Sequence, residues 1–322
     1  MSSASEIAPA SPSRDGTTGP RDTVTGLGGP VTGSRGAGAG PRPGRRPGAR
    51  RARRAVGTAG HHAFLLVAVA VMVLPVLWAL ATSFKTAGGV FDENPLPLPP
   101  TLDNYRVATQ DFPVWRLLLN TTVMSAGVTL LQLLIAVPAA YALVRFPPRA
   151  HRAVTAIVAI TLLVPPQSLV IPLFLMISHL GWRNTLPGLI LPQLFGTGLA
   201  VILLRDHVRA VSPTILGAAA LDGARPFEVL RLVLLPILRP ALGAVSILLF
   251  ITAWNEYLWP VLAAPDIDHA TIQPGLAFFL TQEGPEYGPL LAGSMLATLP
   301  IVVVYFLASR RVTDAFMHSG LR

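Results

Sequence analysis

The residues able to do chemistry in this chain are few and scattered. Its seven histidines, His61, His62, His151, His179, His207, His269 and His318, fall in no metal-ligand spacing such as His-Glu-x-x-His. No Gly-x-Ser-x-Gly turn presents a nucleophile and no Gly-rich Walker loop offers a phosphate cradle. There is no cysteine, so disulfides and thiolate metal sites do not arise. What remains is a set of polar residues inside otherwise apolar runs: Gln132, Thr161, Gln167, Ser168, Gln193, Thr252 and Asn255, with Glu256 as the acid among them. Amides and hydroxyls at such depth are functional suspects, suited to a solute with many neutral donors and acceptors. Hydrogen bonding between helices is their competing role. Asn255, in Trp254-Asn255-Glu256-Tyr257, leads the candidates for a solute pathway, with Gln132, Gln167 and Thr252 beside it. Glu256, near the outer end of its run, is expected to reach water.

The elements that must position these groups are apolar. Over 322 residues, 52% are hydrophobic and 13% charged, and windows of about 20 apolar residues recur, the length that crosses a bilayer core. Six spans can be drawn, at about 63–83, 117–144, 153–179, 186–205, 240–262 and 288–308. Proline is tolerated in such spans, but a run holding Pro165, Pro166 and Pro172 is not expected to be one straight helix.

The formal charge of +9 raises nucleic acid as a partner. Its placement argues against that. Ten arginines lie in residues 1–62, a Gly, Pro, Ser and Arg tail expected to be disordered, with no aromatic or motif beside them. The basic end, Arg42 to Arg54, precedes the first apolar run and suits anionic lipid headgroups. A signal peptide is the rival reading, but the run ends in Thr-Ser-Phe-Lys rather than at a small-residue cleavage site, which favours a retained helix. With a cytoplasmic N-terminus, the tail, Arg145, Arg149, Arg152, Arg205, Arg209, Arg225, Arg231, Arg239, Arg310, Arg311 and Arg322 fall inside. Lys85, Arg106, Arg116 and Arg183 fall outside. Even without the tail the bias is eleven to four, so both termini are expected in the cytoplasm of a multi-pass inner-membrane chain. The outer connections 84–116 and 263–287 are too long for simple turns and are either exposed loops or a platform for a soluble partner.

One stretch, residues 212–238, stands apart from the spans. Ser212-Pro213 is a helix start, with a capping hydroxyl and then a proline in the first turn. A short helix over Thr214–Leu221 would end at Gly223, in the left-handed conformation that stops helices. Pro226 opens a second helix on which Phe227, Leu230 and Leu234 recur at helical spacing, and Pro236 and Pro240 should bend the chain into the fifth span. The product is two short helices at an angle along the membrane face. An interfacial anchor is the competing role.

The order within this stretch resembles the "EAA" coupling loop of ABC-importer permeases: Ala218-Ala219, three residues, Gly223, nine residues, Val233, one residue, then Leu235-Pro236. The departure is Gly217, where the family has glutamate. Elsewhere Trp78, Ser83-Phe84-Lys85, Leu102-Asp103-Asn104-Tyr105, Asn120-Thr121, Ala139-Ala140-Tyr141-Ala142-Leu143, Ile171-Pro172-Leu173-Phe174, Trp254-Asn255 and Trp259-Pro260 occur in the family's order. Residues 63–322 thus resemble the second permease subunit of carbohydrate-uptake ABC importers, the maltose-transporter-like class.

That resemblance implies an all-α, six-span type I permease that forms half of a sugar pathway with a related permease. Two ATPase subunits would dock inside and a solute-binding protein outside. The chain itself would bind no cofactor, ATP and Mg being used by the ATPase, and would be no enzyme. Coupling would fall to Gly217, Ala218, Ala219, Ala220, Leu221, Asp222, Gly223, Val233, Leu235 and Pro236. Gly217 cannot supply the glutamate's ion pair, so docking is expected to rest on shape, with Asp222 and Glu228 as the nearest acids. A permease for glycerol phosphate or a polyol is the nearest alternative, and an ion-driven carrier, which would want mid-span charge relays, a more distant one.

Overall fold

The computed structural model describes residues 47–92, 94–145, 148–281 and 284–319. Most of the tail expected to be disordered, and Glu283 of the second outer connection, lie outside them. Contacts fall into two units, Met1–His62 and Ala63–Arg322, and the description below concerns the second.

Helices dominate it. α1 (Pro47–Ser83) is followed by α2 (Asp103–Arg106), α3 (Val114–Arg145), α4 (Pro148–Leu163) and α5 (Pro166–His179). Then come α6 (Leu186–Ile190), α7 (Thr197–Ala210), α8 (Pro213–Leu221), α9 (Pro226–Glu228) and α10 (Leu235–Trp254). α11 (Leu258–Ala263), α12 (Ile272–Leu276) and α13 (Tyr287–Ser319) complete the series. The strands among the described residues are a two-residue antiparallel ladder, β1 (Leu280–Thr281) with β2 (Gly284–Pro285), pairing Leu280 with Pro285 and Thr281 with Gly284.

Among the described residues five helices are long and apolar enough to cross a membrane: Gly60–Ser83, Val114–Arg145, Leu186–Ala210, Pro226–Trp254 and Tyr287–Phe306. The pair Arg152–Leu163 and Pro166–His179, bent by 87° at Val164-Pro165, is a broken span or a re-entrant loop, and makes six if it counts as one span. The break has a direct cause. Pro165 and Pro166 lack the N–H groups that would continue α4, and Pro165 is extended at ψ 132°.

The core is built where α3, α7 and α10 meet. Ala136, Ala140 and Ala200 are fully buried there, and Leu204, Val208, Leu238, Val245 and Leu249 fill the space between them. Small side chains let the backbones approach, which is how apolar helices associate when lipid removes the hydrophobic driving force. Gly127 serves the same end: a Cβ there would stand 2.8 Å from the Ile190 side chain.

The fifth span differs from the expected 240–262. Its helix runs from Pro226 to Trp254 without a break at Pro236 or Pro240. A wide, π-type turn over Val229–Leu234 joins α9 to α10, Pro236 sits in the first turn of α10, and Pro240 lies one turn further in. The wide turn has already displaced the hydrogen-bond ladder where Pro236 lacks its N–H, so the helix continues through it. The helix then stops at Trp254, and α11 forms a separate turn packed on α6, where the Trp259 indole N–H donates to the carbonyls of Gly188 and Leu189, each at 3.2 Å.

Candidate functional site

Two places gather the residues that the sequence singles out. The first is the elbow between α7 and α10. The Ser212 hydroxyl accepts from the Thr214 N–H at 3.3 Å and Pro213 opens α8. α8 closes with Asp222 N–H donating to Ala218 O (3.0 Å), Gly223 N–H to Ala220 O (3.1 Å) and Ala224 N–H to Ala219 O (3.0 Å). Gly223 holds φ +75°, a conformation that side chains disfavour. The Glu228 carboxylate accepts from the Arg225 backbone N–H at 2.7 Å, so this acid caps its own helix and is not free to stand in for the missing glutamate.

What the elbow leaves outside is unusual for its composition. α8 carries no charged side chain and no buried one. Leu216 and Ala219 lean on the α3–α7–α10 core, as do Val233 and Leu235. Gly217, Ala218, Ala220, Asp222 and Pro236 are exposed, and Leu221 is 91% exposed. Phe227, expected to share a face with Leu230 and Leu234, is instead 68% exposed, while Leu234 is fully buried. The wide turn that starts at Val229 shifts the helical phase between them. A Cβ on Gly217 would meet nothing within 4 Å. Gly217 and Ala220 border a hollow of about 480 Å³ that Arg145 and Arg209 also line. The acid-poor, basic-rimmed surface is the inverse of one built around a glutamate.

The second place is a cavity of about 230 Å³ among α3, α5, α7, α10 and α11. Gln132, Gln167 and Thr252 line it, with Gln193. Asn255 lies outside it: its amide donates to Ile251 O at 2.8 Å and accepts from the Gln273 side chain at 3.4 Å. Glu256, set aside in the sequence as reaching water, is in the lining. The helix ends at Trp254 rather than at residue 262, which turns Glu256 inward instead of along the outer rim. A helix break inside an apolar run leaves no periodic signal; Trp-Asn-Glu before a second Trp-Pro is the clue that was present.

The outer face is fastened by side chains. Asn104 donates to Ser83 O (2.9 Å) and Lys85 O (2.7 Å), and the Ser83 and Tyr105 hydroxyls lie 2.9 Å apart. Asn120 donates to Asp268 O (3.1 Å) and Ala270 O (2.9 Å), and Thr121 Oγ1 accepts from Ile272 N–H at 2.8 Å. Arg116 pairs with Asp268 at 2.6 Å. The Asp266 carboxyl sits below the usual aspartate range because it accepts from the Asp268 backbone N–H and from His269. Motifs that are distant in sequence thus meet as fasteners of the outer connections.

A profile of the "binding-protein-dependent transport system inner membrane component" family matches residues 132–313, more than half of the chain, including the elbow and all of the cavity lining but Val128. The chain belongs to this family. As a whole this permease is 29% identical to the diacetylchitobiose uptake system permease protein NgcG of Streptomyces coelicolor, over 81% of this chain and 88% of that one. It is 30% identical to the sn-glycerol-3-phosphate transport system permease protein UgpE of Shigella flexneri, over 80% and 95%. Its fold matches a subunit of a bacterial ABC transporter that imports the acidic polysaccharide alginate, with a TM-score of 0.69 at 22% identity, over 81% of this chain and 97% of that one. It is a multi-pass membrane permease of the ABC-importer class.

Proposed function

We propose that this permease forms half of the pathway of an ATP-driven importer of mono- or oligosaccharides and transmits ATPase closure through the elbow at residues 212–238. The observation that carries the coupling role is α8: apolar along its length, held by caps at both ends, yet with no buried residue. Such a surface needs a protein to cover it. Two ATPase subunits, which would bind the ATP and Mg, fit that need, with Leu221 and Phe227 as apolar contacts and Arg145 and Arg209 beside them. Small residues at Gly217, Ala218 and Ala220 permit close approach, so docking rests on shape rather than on the glutamate's ion pair.

A related permease would complete the cavity, and a solute-binding protein would dock on the fastened outer face. The arginine bias supports a cytoplasmic position for the elbow and both termini. The carbohydrate class is supported by the amide and hydroxyl lining of the cavity and by the uptake system in which NgcG is named. The chain would perform no covalent chemistry and needs no nucleic acid.

The test is co-purification with candidate permease and ATPase chains, then solute-stimulated ATP hydrolysis and uptake in liposomes, scored for a saccharide panel with sn-glycerol 3-phosphate and polyols alongside. Hydrolysis that depends on binding protein plus saccharide is the expected result. Uptake driven by an ion gradient with no ATPase present would overturn the proposal.

A further inference from the structure

The free chemistry of the cavity is biased in one direction. The Gln132 side-chain amide donates to Gln193 O at 3.0 Å, and that of Gln193 donates to Leu189 O at 2.8 Å. The Thr252 hydroxyl donates to Leu248 O at 2.8 Å. Each glutamine thus commits one amide N–H to the main chain and keeps the other, Thr252 commits its hydroxyl proton, and all three oxygens remain to meet a solute. Glu256 is an acceptor as a carboxylate, and no lysine, arginine or histidine lines the cavity.

The helix ends do not reverse this bias. The closing turn of α10 and the opening turn of α5 both border the cavity, with opposed dipoles. α5 opens on Pro166, which has no N–H, and the Ser168 N–H is already bonded to Pro165 O at 3.0 Å. The sign of the field is left to Glu256. Its Oε1 accepts from the Trp259 backbone N–H at 3.3 Å, which holds the carboxylate at the start of α11.

We infer that Glu256 is a specificity-determining residue, which makes this cavity accept neutral polyhydroxylated solutes and reject anionic ones. A sugar brings hydroxyl donors to the waiting oxygens. A phosphate ester or uronate brings acceptors and a like charge beside Glu256, where protein walls make the repulsion stronger than in bulk water. The inference rests on the reading of the chain as a solute permease. Within that reading it separates this chain from solutes such as those in the names of UgpE and the alginate importer.

The absence of cysteine supplies a direct test. Thr252→Cys places the chain's sole thiol in the cavity, in the full-length chain assembled with its partner subunits in liposomes. The rates of modification by a cationic and an anionic thiosulfonate of equal size are then compared, with Glu256 present and as Glu256→Gln. The amide keeps an acceptor for the Trp259 N–H, and retained co-purification with the partners shows that the variant has folded. The expected result is a preference for the cationic reagent of about tenfold, relative to a free cysteine, that collapses in Glu256→Gln and inverts in Glu256→Arg. A ratio unmoved by both substitutions would overturn the inference.

A second measurement reads specificity itself. The importer's neutral saccharide and its aldonic acid are compared at equal occupancy of the binding protein. The ratio of acid to neutral uptake should rise about fivefold or more in Glu256→Gln, as expected for loss of one repelling charge. An unchanged ratio would count against the inference. If the thiol preference appears as expected but no saccharide is taken up, the charge selectivity stands and the carbohydrate function falls.

Discussion

The outer face and the elbow of this permease solve opposite problems. On the outer face, polar connections are tied within the chain: Asn104, Asn120, Thr121 and Arg116 each bind a main-chain or side-chain partner far away in sequence, while the buried hydroxyls of Thr82 and Thr271 have none. At the elbow, an apolar helix is shaped by its caps and left uncovered. A buried donor or acceptor without a partner is costly, so polar loops must be completed by the fold that carries them. An exposed leucine has no such requirement and can wait for another protein. The contrast separates what the chain finishes alone from what it leaves to assembly.

Substitutions can break or sharpen that contrast. The largest effect is expected from Gly223→Pro, which cannot adopt φ +75° and deletes the N–H bound to Ala220 O. Solute-stimulated ATP hydrolysis should fall at least about tenfold, while the isolated permease stays folded with only a local loss of stability at the cap. An equal loss of stability would mean that the elbow is part of the self-contained fold. Asn104→Ala should act the other way. It removes two donors from the junction of α1 with the outer face, costing about 2 kcal/mol measured as denaturant or thermal stability. ATPase binding by the molecules that remain folded should persist.

Leu221→Ser tests the uncovered face. The side chain is 91% exposed, so stability should move by less than about 0.5 kcal/mol. Affinity for the ATPase, measured by titration, should drop about tenfold, the scale of a buried interface residue. Gly217→Glu has open space and should gain about 0.5–1 kcal/mol of helix stability. Binding to the ATPase should be kept or strengthened. Abolished binding would show that docking requires a small residue and rejects a charge there.

The smallest effect concerns pH. The Asp266 carboxyl is held below its ordinary range by the Asp268 N–H and His269, so its contribution is present above the unfolded pKa of about 3.9 and fades as pH falls through the lower folded value. Asp266→Asn should therefore flatten a shallow acid limb in the thermal stability of this face, by lowering stability at neutral pH by the small amount that the limb spans.

Much of this architecture was legible in the residues. Apolar length gave the spans, Pro165-Pro166 gave the break in the third, and Ser212-Pro213 with Gly223 gave the elbow, because each signal is local and steric. The end of the fifth helix was not legible. On both sides of Asn255 the chain is apolar, and bilayer-length hydropathy cannot distinguish a continuing helix from one that stops and restarts as α11. Phe227 failed for a related reason: ordinary helical spacing assumes no π-type turn between it and Leu234. The exchange of Asn255 for Glu256 in the cavity follows from that single misplaced helix end.

The uncovered elbow also bears on how the cell counts this subunit. A copy inserted without partners exposes Ile215, Leu221 and Phe227 to water wherever α8 leaves the membrane. Exposed apolar clusters of this kind attract proteases and chaperones. Assembly hides them. The half-life of the chain should accordingly be short when it is expressed alone and lengthen with its ATPase, so that the proposed coupling surface would double as a gauge of stoichiometry.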